Sequence, residues 1–184
     1  MNPMTQATTP NVQASFPKLR PLLDYLSGLE HAADLDTVRQ LLESLDVCRA
    51  DLEPVCIFKA DRYQRNMIRK TRWFELVCLC WGSGQRTPIH DHAGSSCGFK
   101  VIEGVASETR FETTPSGLLC AEWTKHHERG YVCASGEADI HQVANMQPAG
   151  QDVITLHLYS PELVHYNVYK LDTPCAGEPV PIDS

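Results

Sequence analysis

The stretch Gly84-Gln85-Arg86-Thr87-Pro88-Ile89-His90-Asp91-His92, running on through Cys97 to Gly104, decides the reading of this 184-residue chain. Its centre, Ile89-His90-Asp91-His92, is echoed further along by Ile140-His141-Gln142-Val143, and both pieces sit in β-type sequence. On a strand, residues two apart point to the same face. His90 and His92 therefore present two imidazoles side by side, and His141 on a neighbouring strand can complete a three-nitrogen face. Imidazole binds iron, zinc, copper and nickel, and three protein ligands leave coordination positions open. An open metal implies chemistry rather than structural stapling. Asp91 points away from this face and is expected to be structural, not a ligand.

The rest of the chain bounds what such a site can serve. The length suits one domain with a real core, and 42% hydrophobic with 21% charged residues is ordinary globular composition. The formal net charge is −7 and no strongly basic run occurs, which argues against nucleic acid as a partner. No apolar stretch approaches the roughly 20 residues that span a bilayer, so no membrane association is expected. The N-terminus lacks the apolar core of a secretory signal. The eight cysteines lie mostly in apolar runs such as Val77-Cys78-Leu79-Cys80-Trp81. They read as reduced, largely buried thiols of a cytoplasmic protein. There is no C-x-x-C pair, so a structural zinc cage is not expected, and Cys78 and Cys80 read as core residues sharing one strand face.

Along the chain, residues 1–15 read as a disordered lead-in, and 16–184 as a single domain. Its helical part covers 16–70, with amphipathic helices at 17–30 and 35–46 and a third short helix from Asp61 to Ile68. Val38, Leu41, Leu42 and Leu45 recur at helical spacing behind caps at Asp34 or Asp36. The pattern changes from Phe74. Short β-rich runs at 74–81, 98–103, 105–112, 118–124, 130–134, 139–145, 153–159 and 164–170 alternate with turn signals. This predicts a mainly β sandwich or barrel over 71–173. The tail from Pro174 is expected to wrap the surface.

The spacing around the histidines is more specific than three scattered ligands. Gly84 is followed by five residues and His90; His92 is followed by four and Cys97; six more lead to Gly104. Further on, Gly130, Gly136, Ala138, His141 and Asn145 form a second frame. These resemble the two signature motifs of the cupin superfamily, a jelly-roll β-barrel with the metal inside. In the first motif Cys97 replaces the usual Glu; in the second Gly136 and Ala138 stand in for Pro and Gly. Without the Glu, three neutral His leave the metal its full 2+ charge, which suits an anionic substrate such as a thiolate.

That replacement narrows the resemblance to the cysteine dioxygenases. It rests also on Tyr63-Gln64-Arg65-Asn66, on Cys80-Trp81-Gly82 and on Thr155-Leu156-His157-Leu158-Tyr159-Ser160-Pro161. The resemblance implies that His90, His92 and His141 hold Fe(II). It implies that Arg65, assisted by Tyr63, pairs with a substrate carboxylate, to which a planar guanidinium can donate two parallel hydrogen bonds. Tyr159 would place its hydroxyl near substrate and oxygen, oriented by His157 with support from Thr155. Cys97 and Tyr159 can become joined by a thioether, and Ser160-Pro161 would be a cis peptide. The expected reaction is oxidation of L-cysteine by O2 to cysteine sulfinate. Relatives acting on 3-mercaptopropionate usually carry Gln in place of Arg65. The alternatives are a dioxygenase for such another small thiol, or a non-enzymatic metal-binding cupin. A monomer or weak oligomer is expected. His126 and His127 read as loop residues.

Overall fold

The computed structural model describes residues 15–136, 140–172 and 177–182. The lead-in, apart from Ser15, lies outside the described residues, as do Ala138 and Cys175. A 3-10 turn at Pro17–Leu19 runs into α1 (Arg20–Ser27), followed by α2 (Leu35–Ser44) and a 3-10 segment, Arg49–Val55. Asp34 starts α2 by accepting the Thr37 amide at 2.8 Å, which satisfies one of the donors a helix N-terminus leaves open.

Among the described residues eleven strands follow: β1 (Gln64–Thr71), β2 (Phe74–Trp81), β3 (Ile89–His90), β4 (Ser96–Glu103), β5 (Val105–Thr113), β6 (Leu119–Glu128), β7 (Val132–Ser135), β8 (His141–Ala144), β9 (Val153–Ser160), β10 (His165–Tyr169) and β11 (Glu178–Pro181). They form a five-stranded sheet, β1-β2-β9-β4-β7, and a six-stranded sheet, β11-β10-β3-β8-β5-β6. This is the expected mainly β class, with helices preceding it.

The five-stranded sheet is covered on both faces, which explains why its central strands do not alternate. Every side chain of β2 and β9 is buried. Leu76, Cys78, Cys80, Leu156 and Leu158 join Leu22, Leu26 and Leu42 in a core under the helices. Val77, Leu79 and Trp81 turn the other way and pack with Phe99, Val101 and Val143 between the sheets. A strand between two cores is apolar at most positions, and the buried polar exceptions here, Glu75 on β2 and Thr155, His157 and Ser160 on β9, each have a hydrogen-bond partner.

Two expectations need correction here. Asp61–Ile68 is not a helix: Gln64–Thr71 is β1, paired antiparallel with β2 from Gln64↔Cys80 to Thr71↔Phe74. The strand buries Asn66 and Ile68 and exposes Met67 between them, a period of two, and β2 supplies the backbone partners that a lone helical turn would lack. The helical part is accordingly shorter than 16–70. His126 and His127 are not in a loop; they belong to β6, and His127 is buried. The described part of the tail adds β11 to the edge of β10.

Two glycines fix how closely the layers approach. Gly104, the last residue of the first motif, has φ +75°, and a Cβ there would lie 2.3 Å from the Asp152 carbonyl oxygen. On β4, Gly98 faces α2, and a Cβ would lie 2.9 Å from Val38 Cγ1 and 3.2 Å from Leu42 Cδ1. Gly98→Ala is therefore expected to destabilise the fold by about 1–3 kcal/mol through overpacking. A lowered denaturant midpoint would show this; an unchanged midpoint would mean that α2 yields freely.

Candidate metal centre

The three histidines converge from the six-stranded sheet. His90 on β3 stands directly opposite His141 on β8, and His92 follows in the turn after β3. Asp91 explains that turn. Its carboxylate accepts hydrogen bonds from the Ala93 amide at 2.8 Å, from Asn167 Nδ2 at 3.0 Å and from the Tyr169 hydroxyl at 2.7 Å. The chain is pinned to β10 on one side, and the two histidines flanking Asp91 face the other way. One ring nitrogen from each of His90, His92 and His141 lies within 4.8 Å of the others. All three side chains are buried.

The tautomers suit a cation. Only carbonyl oxygen faces His90 Nδ1, which donates to Pro88 O at 3.1 Å and so leaves Nε2 as a bare acceptor. His141 Nδ1 donates to Glu108 Oε1 at 2.8 Å, while the other Glu108 oxygen accepts from His127 Nε2 at 2.9 Å. His141 Nε2 is then buried without a hydrogen-bond partner. An orphaned acceptor in a buried site is costly unless something positive fills it. Burial holds the His90 and His92 rings neutral: it lowers His92 well below the usual imidazole range and brings His90 down to about 3. A neutral imidazole is the form that binds metal.

Glu108 gave no motif signal. Ala106 and Glu108 alternate onto the inner face of β5, but that β5 lies beside β8 is known only from the fold. A carboxylate that holds a ligand's far nitrogen fixes ring orientation. Glu108→Ala is expected to weaken metal affinity about 10–100-fold, measured by chelator competition. Unchanged affinity would leave Glu108 a purely structural partner of His127.

The opposite wall of the cavity comes from the five-stranded sheet. A pocket of about 460 Å³ opens onto the three histidines and is lined also by Arg65, His157 and Tyr159. Arg65 on β1 lies with its guanidinium 5.4 Å from the Tyr159 ring centroid. Its Nη2 donates to Glu75 Oε1 at 2.5 Å, so that Glu75, fully buried on β2, holds it from behind. Tyr63 stacks on Trp81 with centroids 4.5 Å apart. Cys97 on β4 stands directly opposite Tyr159 on β9. The Ser160-Pro161 peptide is cis.

The proton positions behind Tyr159 follow from donor counting. Trp81 Nε1, which can only donate, gives its hydrogen to Thr155 Oγ1 at 3.0 Å. The Thr155 hydroxyl lies 3.0 Å from His157 Nε2. Donation from Thr155 to that nitrogen is the arrangement that strands no proton. His157 then carries its hydrogen on Nδ1, which donates to the Tyr159 oxygen at 3.3 Å. This frees the Tyr159 O–H to point at the cavity. Burial raises the Tyr159 pKa well above the usual phenol range, and Arg65 only partly offsets this. Glu75 and the cavity residue Tyr166 were not singled out from sequence; Trp81 stood in the Cys80-Trp81-Gly82 motif, but its hydrogen bond to Thr155 is supplied only by the strand register.

A barrel of two antiparallel sheets with a three-histidine face inside it is a metal-binding cupin. Solved structures share the fold: TT1209 from Thermus thermophilus (TM-score 0.50, 15% identity, 60% of this chain and 94% of that one) and a Klebsiella pneumoniae protein with a double-stranded β-helix domain (TM-score 0.51, 15% identity, 65% and 94%). Residues 4–171 match the family model for cysteine dioxygenase type I, and the chain belongs to that family. Cysteine dioxygenase type 1 from Rattus norvegicus is 31% identical over 149 residues, 78% of this chain and 72% of that protein. The Homo sapiens enzyme is 30% identical over 163 residues, 85% and 78%. The match to the Danio rerio enzyme, 30% identical over 133 residues, spans 70% of this chain and 66% of that protein.

Proposed function

We propose that the protein oxidises L-cysteine with O2 to cysteine sulfinate at Fe(II) held by His90, His92 and His141. The observation that carries this reading is the placement of a guanidinium, Arg65, across the same cavity from the three-histidine face. The bound iron supplies open positions for substrate and O2, stabilises the thiolate at neutral pH, and lets the thiol provide the electrons.

The chain's own residues do the rest. Arg65 binds the substrate carboxylate and fixes the orientation of the sulfur, with Tyr63 beside it. Glu75 keeps the guanidinium from swinging away. Tyr159 donates its free proton as a hydrogen bond to the reacting sulfur or oxygen, and His157 and Thr155 hold that hydroxyl in place. The register of Cys97 against Tyr159 supports the thioether reading; such a bond would fix the ring and remove a competing thiol. Reduced thiols throughout the described chain fit a cytoplasmic setting.

The test is oxygen uptake with product identification. Iron-loaded protein should consume O2 with cysteine and release the sulfinate, and turn over 3-mercaptopropionate less well. Preference for 3-mercaptopropionate would move the substrate assignment; no uptake with either thiol at confirmed iron occupancy would sink the dioxygenase reading.

A further inference from the structure

The fold assembles a second group of metal-type ligands on the outer side of β2, away from the cavity. Val77, Leu79 and Trp81 face the space between the sheets, and Cys78 and Cys80 face the helices. There they meet Cys56, which ends the 3-10 segment Arg49–Val55. The three Sγ atoms lie within 4.8 Å of one another, with Cys78 and Cys80 at 4.0 Å. The sequence pattern hid this group, because no C-x-x-C spacing occurs and Cys56 joins only through the fold.

We propose that Cys56, Cys78 and Cys80 form a thiolate site for a thiophilic d10 cation, Zn(II) or Cu(I), distinct from the histidine centre. Metal–sulfur bonds of about 2.3 Å place tetrahedral thiolates roughly 3.8 Å apart, close to the spacing already present. Soft sulfur donors select these cations over the iron of a nitrogen site. Cys78 and Cys80 are fully buried, whereas Cys56 is half-buried and gives an entry route. Asn66 Nδ2 donates to Cys80 Sγ at 3.5 Å, a contact that favours a thiolate there. As thiols, Cys56 and Cys80 donate weakly to the Arg49 and Val55 carbonyls at 3.7 and 3.8 Å. Binding releases the thiol protons to solvent and ties the 3-10 segment to β2. This proposal does not depend on the dioxygenase reading.

The test uses reduced, metal-free protein under anaerobic conditions. Cadmium(II) is the spectroscopic probe, because cadmium–thiolate charge transfer absorbs in the ultraviolet and imidazole ligation gives no such band. Zinc(II) and copper(I) are then titrated separately against chelators. One equivalent of cadmium should produce the band, and Cys56→Ser should weaken binding at least about tenfold, while Cys120→Ser leaves it unchanged. In the unmodified protein, bound metal should also protect Cys56 from alkylation, a readout that needs no variant. The zinc and copper arms decide which cation is preferred. A missing band, a band undiminished in Cys56→Ser, or unprotected Cys56 at full loading would overturn the site.

Discussion

His92→Ala is expected to abolish thiol-dependent oxygen uptake and to strip iron from the protein, with the same result at His90 or His141. One ring nitrogen from each histidine lies within 4.8 Å of the others, and among the described residues no carboxylate joins the group. Two imidazoles cannot hold the metal as three do. The loss of affinity should exceed the roughly 100-fold upper range for removing a supporting partner. The fold should survive, because the change deletes a buried polar ring that is unfilled on its metal-facing side. Metal analysis, circular dichroism and oxygen uptake together check this. A folded variant that kept stoichiometric iron would show that the face has been misassigned.

Arg65→Ala should cut kcat/KM for cysteine about 100–10,000-fold, since hydrogen bonds to charged groups are worth about 1.5–3 kcal/mol each and this side chain can donate two to a carboxylate. Cysteamine, which has no carboxylate, provides the contrast: its turnover should change far less. The variant carries a complication that the structure defines. Glu75 is fully buried, its Oε2 has no hydrogen-bond partner, and Arg65 holds Oε1. Removing the arginine leaves an uncompensated buried charge, which costs about 3–5 kcal/mol of stability. The double variant Arg65→Ala/Glu75→Gln removes that charge. It should regain much of the stability and none of the cysteine preference. If cysteine turnover were unchanged in the stable double variant, Arg65 would not be the carboxylate contact.

Much of this was legible in the sequence because motifs report local geometry. The H-x-H pair, Gly104 and the order of strands from Phe74 onward depend on periods and turns within a few residues. Phe74–Trp81 was readable because a strand buried on both faces is a nearly continuous apolar run, broken here only by Glu75. Gln64–Thr71 was not, since its polar residues Gln64, Arg65 and Asn66 mimic an exposed helix until β2 is known to lie beside them. Glu108 and Glu75 escaped notice for a related reason. Each works on a residue brought near by sheet pairing, and a single chain carries no record of which strands become neighbours. The cysteine cluster is the extreme case: three ordinary apolar thiols become one group only when a 3-10 segment folds over β2.

The division of the cavity between two sheets has an evolutionary consequence. The nitrogen face belongs to β3, the turn after it and β8, whereas the groups on the opposite wall of the cavity, Arg65, His157 and Tyr159, belong to β1 and β9. Drift on one set need not disturb the other. A descendant can trade the side chain at position 65 for one that grips a different thiol and inherit its metal seat intact. Changes on β9 are harder, because that strand is packed on both sides and tolerates little revision. Innovation in such a barrel should therefore gather on the edge strand β1, where a new preference for substrate disturbs the fewest neighbours.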